Sequence, residues 1–482
     1  MLPRLWPAVL SLGWTILAMA AAEALMAVVA FAAGDGLEGS FLIGAGIAAV
    51  IGGGMVLTNK GRRFEMSFRD AVLFTVSAWF VLPVFAAVPL LIDPIGLDPV
   101  DALFEMTSAI TTTGSTVLTG LDSMPDSLLL WRSTLQWFGG FGIIGLAIVV
   151  LPFLKIGGMQ LFRLESSDSG EKYLPRIRQV AAAVGEIYLV LTIVCFATYV
   201  LLGMDAFDAL NHAFTTVCTG GFSTHDASFG HFQDPALRWA AIVFMIGGAI
   251  PFMTYLRLIG RGRLRERIEP QVMVFLVIVL VAGIVVVTWL TASEIYPFGE
   301  ALTEGAFNTV AIITTTGYAT ADYSAWGAFA AVLFFIFMFL GGCTGSTTGG
   351  IKMLRYQIMG STIVQHVRQT LYPHIVQPIR YQGRAIPNEQ VVSVGVFIFL
   401  YFATFAAVAI FFSMTGLDSM TAFSAAASAV GNIGPGLGAE IGPAETYAGF
   451  TDLQKLVFTF TMVLGRLEIL GVLVLLAPSF YR

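Results

Sequence analysis

The chain has 482 residues, of which 57% are hydrophobic and only 12% are charged, and its mean hydropathy is +0.82. Ordinary soluble domains are roughly 45–50% apolar and about 25% charged, so a large soluble enzyme, a disordered chain and a nucleic-acid binder are excluded. The formal net charge of −6 says little until each charge is assigned to a side of a membrane.

Eleven apolar runs follow along the chain, and the first is too long for the apolar core of a signal peptide. Most have the length that crosses a bilayer, about 20 residues. Two of them flank a glycine-rich break and are interpreted as one interrupted span, so the sequence predicts an all-α polytopic membrane protein with ten spans. The runs lie near 5–33, 39–58, 70–92, 131–154, 180–203, 236–258, 271–291, 327–340, 353–365, 389–415 and 453–478.

Four shorter helices are predicted between the spans, near 100–111, 207–218, 300–314 and 418–431. About 12 residues do not cross a bilayer, so these segments are interpreted as re-entrant or interfacial. Each runs into a glycine turn, and the turns read TTTGST, VCTGGF, TTTGYA and GNIGPG. The pattern predicts an N-terminal pair of spans followed by four repeats of span, short helix, turn and span. The boundaries are 1–66, 67–156, 157–262, 263–372 (with the interrupted second helix) and 373–482.

The charges are sorted by side. Lysine and arginine concentrate in the loops around 60–69, 155–178, 257–267 and 352–384, which the positive-inside rule assigns to the cytoplasm together with both termini. The opposite loops are acidic, and their only basic residues are Arg132, Arg238 and Lys455. Acidic loops either keep a surface soluble or concentrate cations through a negative potential, and the sequence leaves both interpretations open.

The glycine turns have a physical meaning. Glycine adopts positive φ without a Cβ clash, so successive carbonyls can point one way. A ring of four such turns replaces the water shell of a monovalent cation, and each short helix directs its negative C-terminal end at that ring. The four repeats therefore predict a cation pore.

These turns, together with GGMQLFRLESSD (157–168), GGCTGSTTGGIK (341–352) and LGRLEI (464–469), resemble the Trk/Ktr/HKT superfamily of potassium transporters. The two extra N-terminal spans make the chain similar to the TrkH/TrkG branch. The resemblance implies four pseudo-symmetric span–pore-helix–span repeats around one pore, plus two extra N-terminal transmembrane helices. It also implies potassium binding by Thr112, Thr113, Gly114, Cys218, Thr219, Gly220, Thr315, Thr316, Gly317, Asn432, Ile433 and Gly434.

Two filter positions bear on selectivity. In plant relatives a serine at the first glycine accompanies a preference for sodium, so Gly114 argues for potassium. The fourth turn departs from the Thr-Gly pattern with Ile433 and Pro435, which predicts a poorer ligand in one quarter of the ring.

A gate is predicted below the filter. Five glycines in the ten residues from 341 to 350 do not sustain a helix, since each costs about 1 kcal/mol relative to alanine. A buried loop that only allows close packing is the alternative, but the resemblance implies a gating loop. Its residues are Gly341, Gly342, Cys343, Thr344, Gly345, Ser346, Thr347, Thr348, Gly349 and Gly350.

Arg466 lies in the otherwise apolar last span, where a charge costs at least about 2.5–3.5 kcal/mol. It is expected to project into the pore below the filter and to limit cation flux. The alternative is an Arg–Glu pair between helices; Glu468, two residues on, lies on a different helix face. Glu105 in the first pore helix is expected to stabilise the filter from behind, and Glu23 receives no role.

The sequence thus predicts a potassium-uptake membrane subunit without enzyme activity or a bound cofactor, with potassium as substrate and rubidium also conducted. A phosphate-loop ATPase is excluded because 341–352 lacks the G-K-[ST] ending. The alternatives are an ion-coupled potassium symporter, disfavoured by repeats of one orientation, and a lipid-modifying enzyme, disfavoured by scattered acidic residues. The resemblance implies a homodimer, a cytosolic nucleotide-binding subunit of the TrkA type and the bacterial inner membrane. The basic loops 257–267 and 352–384 either dock that subunit or only set the topology.

Overall fold

The computed structural model describes residues 5–62, 66–149, 173–259, 268–375 and 378–480. Within those ranges the chain is mostly helical, with loops between the helices and one small hairpin, so the predicted all-α polytopic class is confirmed. The motif at 157–168 and most of the basic loop at 257–267 lie outside the described residues.

The helices begin and end as follows: α1 Trp6–Ala33, α2 Glu38–Leu57, α3 Phe68–Ala87, α4 Pro99–Ile110, α5 Asp126–Val149, α6 Tyr173–Leu201, α7 Ala206–Val217, α8 Pro235–Ala249, α9 Phe252–Ile259, α10 Pro270–Ala292, α11 Phe298–Ile313, α12 Ala328–Phe337, α13 Met353–Leu371, α14 Asn388–Met414, α15 Ser419–Gly431, α16 Asp452–Arg466 and α17 Leu470–Leu476. The hairpin pairs β1 (Arg380–Tyr381) with β2 (Arg384–Ala385) in antiparallel register.

Six of the described helices are long and apolar enough to cross a membrane, and the pairs α8–α9 and α16–α17 meet the same test as bent units. The most apolar is α10, whose best window has a mean hydropathy of 3.0 and is only 28% buried. Because its apolar side chains face outward, α10 is suited to contact with lipid. α12 is a shorter apolar helix that precedes the glycine-rich break.

Two spans that the sequence predicted to be continuous are bent. α8 and α9 meet at 95°, and α16 and α17 meet at 104°. The first bend is at Pro251, which disfavours helical backbone in the residue before it. The second is at Glu468 and Ile469, which have φ of 57° and 55°. The apolar runs gave no sign of either break, so those two predictions are wrong.

The short helices α4, α7, α11 and α15 agree with the predicted segments to within two residues. Three begin with an aspartate cap, because Asp98, Asp205 and Asp418 accept hydrogen bonds from amides of the first turn. Such caps satisfy amides that have no partner inside the helix and place a negative charge at its positive end. Part of the acidity of the outer loops therefore serves local structure.

The packing of the short helices follows a cyclic order. α4 packs between α3 and α5, α7 between α6 and α8, α11 between α10 and α12, and α15 between α14 and α16. Three of them also contact the second helix of a neighbouring unit: α4 contacts α16, α7 contacts α5 and α11 contacts α8. The last helical unit thus returns to the first, and the C-terminal ends of all four short helices meet in one region.

Candidate functional site

Each short helix ends in a turn with the same backbone conformation. A left-handed residue follows the helix end, and a left-handed glycine follows two positions later. The left-handed residues that follow the helix ends are Thr112, Thr219, Thr315 and Asn432, with φ of 51°, 53°, 55° and 52°. The glycines are Gly114, Gly221, Gly317 and Gly434, with φ of 87°, 76°, 78° and 111°. A threonine at positive φ is strained, so this backbone conformation persists only because the surrounding contacts stabilise it.

The structure corrects the register of the second turn. Gly221, and not Gly220, adopts the left-handed conformation that the other three turns assign to their glycine. Cys218 belongs to the end of α7, where its thiol points back to the carbonyl of Thr215 at 3.5 Å. The residues equivalent to the other three sets are therefore Thr219, Gly220 and Gly221. The sequence contained two adjacent glycines and gave no means to choose between them.

The four glycines form a closed ring of backbone contacts. A Cβ on each would lie against the carbonyl oxygen that precedes the glycine of the next turn, at 1.8 to 3.0 Å, so a side chain does not fit without backbone movement. The order of contacts passes through all four turns and returns to the first. The contacts are Gly114 to Gly220, Gly221 to Thr316, Gly317 to Ile433 and Gly434 to Thr113.

Buried carbonyls at this ring lack protein partners. The carbonyl oxygens of the four left-handed residues before the glycines (Thr112, Thr219, Thr315 and Asn432) accept no hydrogen bond from any described residue. All four residues are at most 1% exposed. Since a buried polar backbone group without a partner is costly, these oxygens need a ligand such as a cation or water. Together with the negative helix ends, they can coordinate a monovalent cation.

Each short helix also holds the segment that leaves its own turn. A fully buried polar side chain, nine or ten residues before the glycine, hydrogen-bonds a residue two or three positions after it, at 2.8 to 3.2 Å. We call these four side chains the clamp residues. The pairs are Glu105 with Thr116, His212 with Ser223, Asn308 with Thr320 and Ser424 with Leu437. The sequence predicted this role only for Glu105, because four different residue types occupy the position.

Neighbouring turns are joined by side chains. Gln136 of α5 donates to the carbonyl of Gly220 at 2.8 Å and accepts from the amide of Phe222 at 3.2 Å. The side-chain Nδ2 of Asn432 donates to the Thr113 hydroxyl at 2.9 Å. These contacts connect the first quarter of the ring to the second and to the fourth, and they fix the turns relative to one another.

The three basic residues predicted on the outer side are all buried ion-pair partners. Arg132 Nε lies 2.8 Å from Glu105 on α4. Arg238 pairs with Glu304 on α11, and Lys455 pairs with Asp101 on α4. Each cation comes from a second helix of a repeat and each acid from a short helix. The three basic residues that the sequence assigns to the outer side therefore brace the short helices α4 and α11.

The glycine-rich loop between α12 and α13 lies directly against the turns. The amide of Gly349 donates to the Thr315 hydroxyl at 2.7 Å. A Cβ on Gly349 would lie 2.1 Å from the carbonyl oxygen of Gly431. Thr347 donates to the carbonyl of Gly248 at 3.1 Å, next to the α8–α9 bend. The loop is thus buried in protein and packed against three of the four repeats.

The bend between α8 and α9 receives this loop. The amide of Cys343 donates to the carbonyl of Ala249 at 3.0 Å, and the amide of Phe252 donates to Gly345 at the same distance. The break between α8 and α9 thus frees backbone groups that the loop satisfies. This explains why the second span of the second repeat is interrupted at Pro251.

Arg466 is the last residue of α16 and is 3% exposed. None of its three guanidinium nitrogens has a hydrogen-bond partner among the described residues. Glu468 forms an ion pair with Arg355 of α13. The alternative for Arg466, an Arg–Glu pair between helices, is therefore not formed by Glu468. Lys352 is a second buried cation here, and it donates to the backbone carbonyl of Thr348.

The loop and these charges line one narrow space. A cavity of about 30 Å³ is bounded by Gly349, Gly350, Lys352, Gly465, Arg466 and Glu468, among others. That volume holds about two water molecules. Its lining holds two basic side chains, Lys352 and Arg466, and one acidic side chain, Glu468, so basic groups predominate around the space. Sequence reasoning identified Arg466 but assigned Lys352 only to a cytoplasmic loop, because its burial depends on the fold of the loop before it.

The outer loops of the first two repeats are held together by charge. His225 Nδ1 lies 2.5 Å from Asp122, and its Nε2 lies 3.0 Å from Asp208. Partial burial lowers the pKa of His225, but the hydrogen bonds and charges of the two aspartates outweigh it and raise that pKa above its usual 6.5. The hydrogen bond from His225 lowers the pKa of Asp122 below 3.8.

Glu23 on α1 lies apart from this site. It is fully buried, and neither carboxylate oxygen has a hydrogen-bond partner within the described ranges. It lies near Gly44 of α2, whose Cβ would come within 3.2 Å of Oε2. The filter and loop residues predicted from the sequence are brought together; Glu23 is not among them.

Comparison with known proteins places these features in context. A sequence profile described as "TrkH: Cation transport protein" matches residues 38–480. The chain is 40% identical over 477 residues to the Trk system potassium uptake protein TrkI of Halomonas elongata, covering 98% of this chain and 96% of that protein. It is 34% identical over 441 residues to the Trk system potassium uptake protein TrkH of Escherichia coli K12, covering 90% and 91%.

The fold is similar to that of a solved structure. The crystal structure of the potassium transporter TrkH from Vibrio parahaemolyticus aligns with a TM-score of 0.91 and 34% identity, covering 99% of this chain and all of that one.

Proposed function

This chain belongs to the TrkH family of cation transport proteins, which are transporters and not enzymes, and from that premise we propose that it is a potassium-uptake membrane subunit with a channel-like pore. The observation that carries the proposal is the closed ring of four turns with buried, unpaired carbonyls. Carbonyl rings of this kind take the place of the hydration shell of potassium.

Entry begins at the acidic outer loops, where a negative potential concentrates cations. A potassium ion then exchanges its water for the carbonyls of Thr112, Thr219, Thr315 and Asn432 and their neighbours in the ring. Threonine and glycine form three of the four turns, whereas the fourth contains Ile433 and Pro435. We therefore expect the fourth turn to bind potassium more weakly than the other three.

Below the filter, the glycine-rich loop and Arg466 form the gate. The loop is packed against the turns, and the cavity beneath it is small and positively charged. A potassium ion there meets both a steric and an electrostatic barrier, because the Arg466 guanidinium is buried without a compensating partner among the residues described. Conduction requires the loop to move away from the turns.

The remaining assignments belong to the same proposal. The protein conducts rubidium as well as potassium, works as a homodimer in the bacterial inner membrane and keeps both termini in the cytoplasm. A cytosolic nucleotide-binding subunit of the TrkA type moves the gate from the cytoplasmic side. These assignments rest on the family relationship and on the basic residues of the cytoplasmic loops.

Ion flux in proteoliposomes tests the function directly. Purified protein is reconstituted, and uptake of potassium, rubidium and sodium is measured under a fixed membrane potential. We expect potassium and rubidium to enter much faster than sodium. The Gly317→Ala variant should lose this preference, because its Cβ would lie 2.0 Å from the Ile433 carbonyl oxygen. The matched control is Gly283→Ala on α10, where a Cβ meets nothing within 4 Å.

Equal uptake of all three ions by the unmodified protein would contradict the proposal. Uptake measured with equal pH and equal sodium on both faces separates a channel-like pore from the ion-coupled symporter. Flux that stops without a proton or sodium gradient would favour the symporter.

A further inference from the structure

A large cavity lies between the spans α1, α3 and α5, and its volume is about 520 Å³. Some of its lining residues are exposed, namely Ala18, Phe138 and Gly142. Others are buried, since Trp79 is 7% exposed and Leu135 is 3% exposed. The cavity is therefore a cleft that opens on the outside of the helix bundle and has a buried floor. We call it the side cleft.

The walls of the side cleft are apolar. No charged residue lines it in the part of the chain that the structure describes, and its two threonine hydroxyls are already bonded within their own helices. Thr15 donates to the carbonyl of Leu12, and Thr75 donates to the carbonyl of Ala71, each at 2.8 Å. Because a buried water needs several polar partners, these walls suit an apolar occupant better than water.

The side cleft runs along the helices for about half the thickness of a bilayer. Its lining extends from Ala71 to Leu82 on α3 and from Leu135 to Gly145 on α5. With a rise of about 1.5 Å per residue, each stretch is roughly 16 Å long. The hydrocarbon core of a bilayer is about 30 Å thick, so one leaflet supplies about 15 Å of it. The length of the side cleft thus matches a single acyl chain in one leaflet.

We propose that the side cleft binds one acyl chain of a membrane phospholipid, from the leaflet on the side where α3 begins and α5 ends. An unfilled apolar cavity forfeits dispersion contacts along its whole lining, and acyl chains are what a bilayer supplies at an opening between spans. Gly145 shows that there is room, because it lines the cleft and a Cβ there would meet nothing within 4 Å. Helices enclose the bound chain on three sides, which distinguishes it from lipid on the outward face of α10.

The floor of the side cleft reaches the end of the first short helix. Ile110, the last residue of α4, lines the cleft. α5 lies directly against the same residue, because a Cβ on Gly139 would come within 2.0 Å of the Ile110 carbonyl oxygen. The left-handed Thr112 follows two residues later. The bound chain therefore supports the first turn from behind, and its loss should change ion uptake; this consequence, unlike the binding itself, rests on the proposed function.

Photo-crosslinking in a bilayer tests the site. The full chain is reconstituted in vesicles of phosphatidylethanolamine and phosphatidylglycerol that contain a small share of phospholipid with a diazirine on one acyl chain. On irradiation the diazirine loses nitrogen gas, and the remaining carbene inserts into a bond of whichever residue touches it. Mass spectrometry then locates the adducts. We expect them on the floor residues Ile110, Trp79 and Leu135, as well as on outward-facing residues such as Val281 of α10, which is 54% exposed.

Filling the side cleft should remove the adducts from its floor. Gly145→Phe and Ala18→Phe each add a ring at the cleft, from α5 and from α1 respectively. Adducts on the floor should fall several-fold relative to those on α10. The matched control is Gly283→Phe on α10, where a Cβ also meets nothing within 4 Å. Its adducts on the floor of the cleft should equal those of the unmodified protein.

The proposal is overturned if the unmodified protein gains adducts on outward-facing residues alone, which is also the result expected if a second copy of the chain covers the cleft. It is equally overturned if both filled variants, with the thermal unfolding temperature of the unmodified protein, keep their adducts on the floor. The adducts of the unmodified protein decide the matter even if neither variant folds. A lack of selective potassium uptake would contradict the proposed function and leave the bound chain standing, since crosslinking detects the chain directly.

Discussion

A few residues in left-handed backbone conformation determine the shape of the proposed filter. Glycine is required at Gly114, Gly221, Gly317 and Gly434 for two reasons: positive φ, and a neighbouring carbonyl in the place that a Cβ would occupy. The second reason is specific to a closed ring, because the obstacle is always the next turn. Rigid backbone on both sides leaves little room for relaxation.

The register correction makes a sharp prediction. Gly221→Ala should abolish selective rubidium uptake, because its Cβ would lie 1.8 Å from the carbonyl oxygen of Thr316, which is backbone. Gly220→Ala should retain much more uptake, because its Cβ meets the side chain of Gln136, at 2.5 Å, and that side chain can move. Uptake in proteoliposomes, normalised to protein inserted, measures both. Greater damage from Gly220→Ala would restore the register predicted from the sequence.

For single residues, the sequence predicted features that depend on neighbours in the chain and missed contacts between residues far apart in the chain. The Thr-Gly turns and the charge of Arg466 are visible in a few consecutive residues. The partners of Arg132 and Arg238 are not, since Glu105 and Glu304 lie 27 and 66 residues away in the chain. Gln136 was missed for the same reason, because its partner Gly220 lies 84 residues away. Lys352 was missed because its burial depends on how the glycine-rich loop before it folds.

Among the elements, the glycine-rich loop between α12 and α13 lies next to both bent spans. The α8–α9 bend supplies backbone partners for the loop, and the α16–α17 bend ends α16 at Arg466, beneath the loop. The sequence predicted the loop from its glycines. It could not predict the bends, because a single proline and a Glu-Ile pair do not interrupt an apolar run.

Removing the charge at the end of α16 should open the gate partially. We expect Arg466→Ala to raise rubidium uptake several-fold, since a buried unpaired cation no longer repels the permeant ion. Arg466→Lys should stay near the unmodified rate because it keeps the charge. Arg69→Ala, an exposed arginine at the start of α3, is the control for general effects of charge removal. Unchanged uptake in Arg466→Ala at normal expression would rule out this role.

The cap of α15 gives a prediction in acid. Partial burial raises the pKa of Asp418, but hydrogen bonds from Thr421 and from the amide of Met420 outweigh it and lower that pKa below 3.8. Because the folded pKa is depressed, the cap contributes its full stability above about 3.8 and loses it as the pH falls through the folded value. Asp418→Ala should cost about 0.5–2 kcal/mol at neutral pH.

Thermal unfolding in detergent at neutral pH and in acid measures this effect. The difference in stability between Asp418→Ala and the unmodified protein should shrink as the pH falls below about 4. Glu440→Ala, an exposed acid in the same outer region, should change neither value. A difference that persists undiminished in acid would contradict the assignment of a charged cap.

For the whole molecule, the sequence predicted the all-α polytopic class correctly, because hydropathy is summed over long segments. The sidedness and the division into four units stay predictions. The face predicted to lie outside keeps its acidic loops, while its three basic residues are buried in ion pairs. Such a face should attract potassium over a distance that depends on salt.

Varying the salt concentration therefore distinguishes electrostatic attraction of potassium to the acidic loops from the rate of conduction through the pore. Raising an impermeant salt from about 10 mM to about 150 mM shortens the Debye length from about 30 Å to about 8 Å. Uptake at low potassium should fall, because fewer ions are drawn to the mouth. Uptake at saturating potassium should not change and serves as the internal control. Equal rates at both salt concentrations under low potassium would assign the acidic loops to solubility alone.

The clamp residues have a genetic consequence. In a pore built from four identical chains, every substitution appears four times, and a position must suit all quarters at once. Here Glu105, His212, Asn308 and Ser424 perform one task with four chemistries, because each quarter has its own codons. A mutation therefore alters a single quarter and leaves three intact. Selectivity in such a pore can be adjusted in small steps, one quarter at a time, both by natural selection and by design.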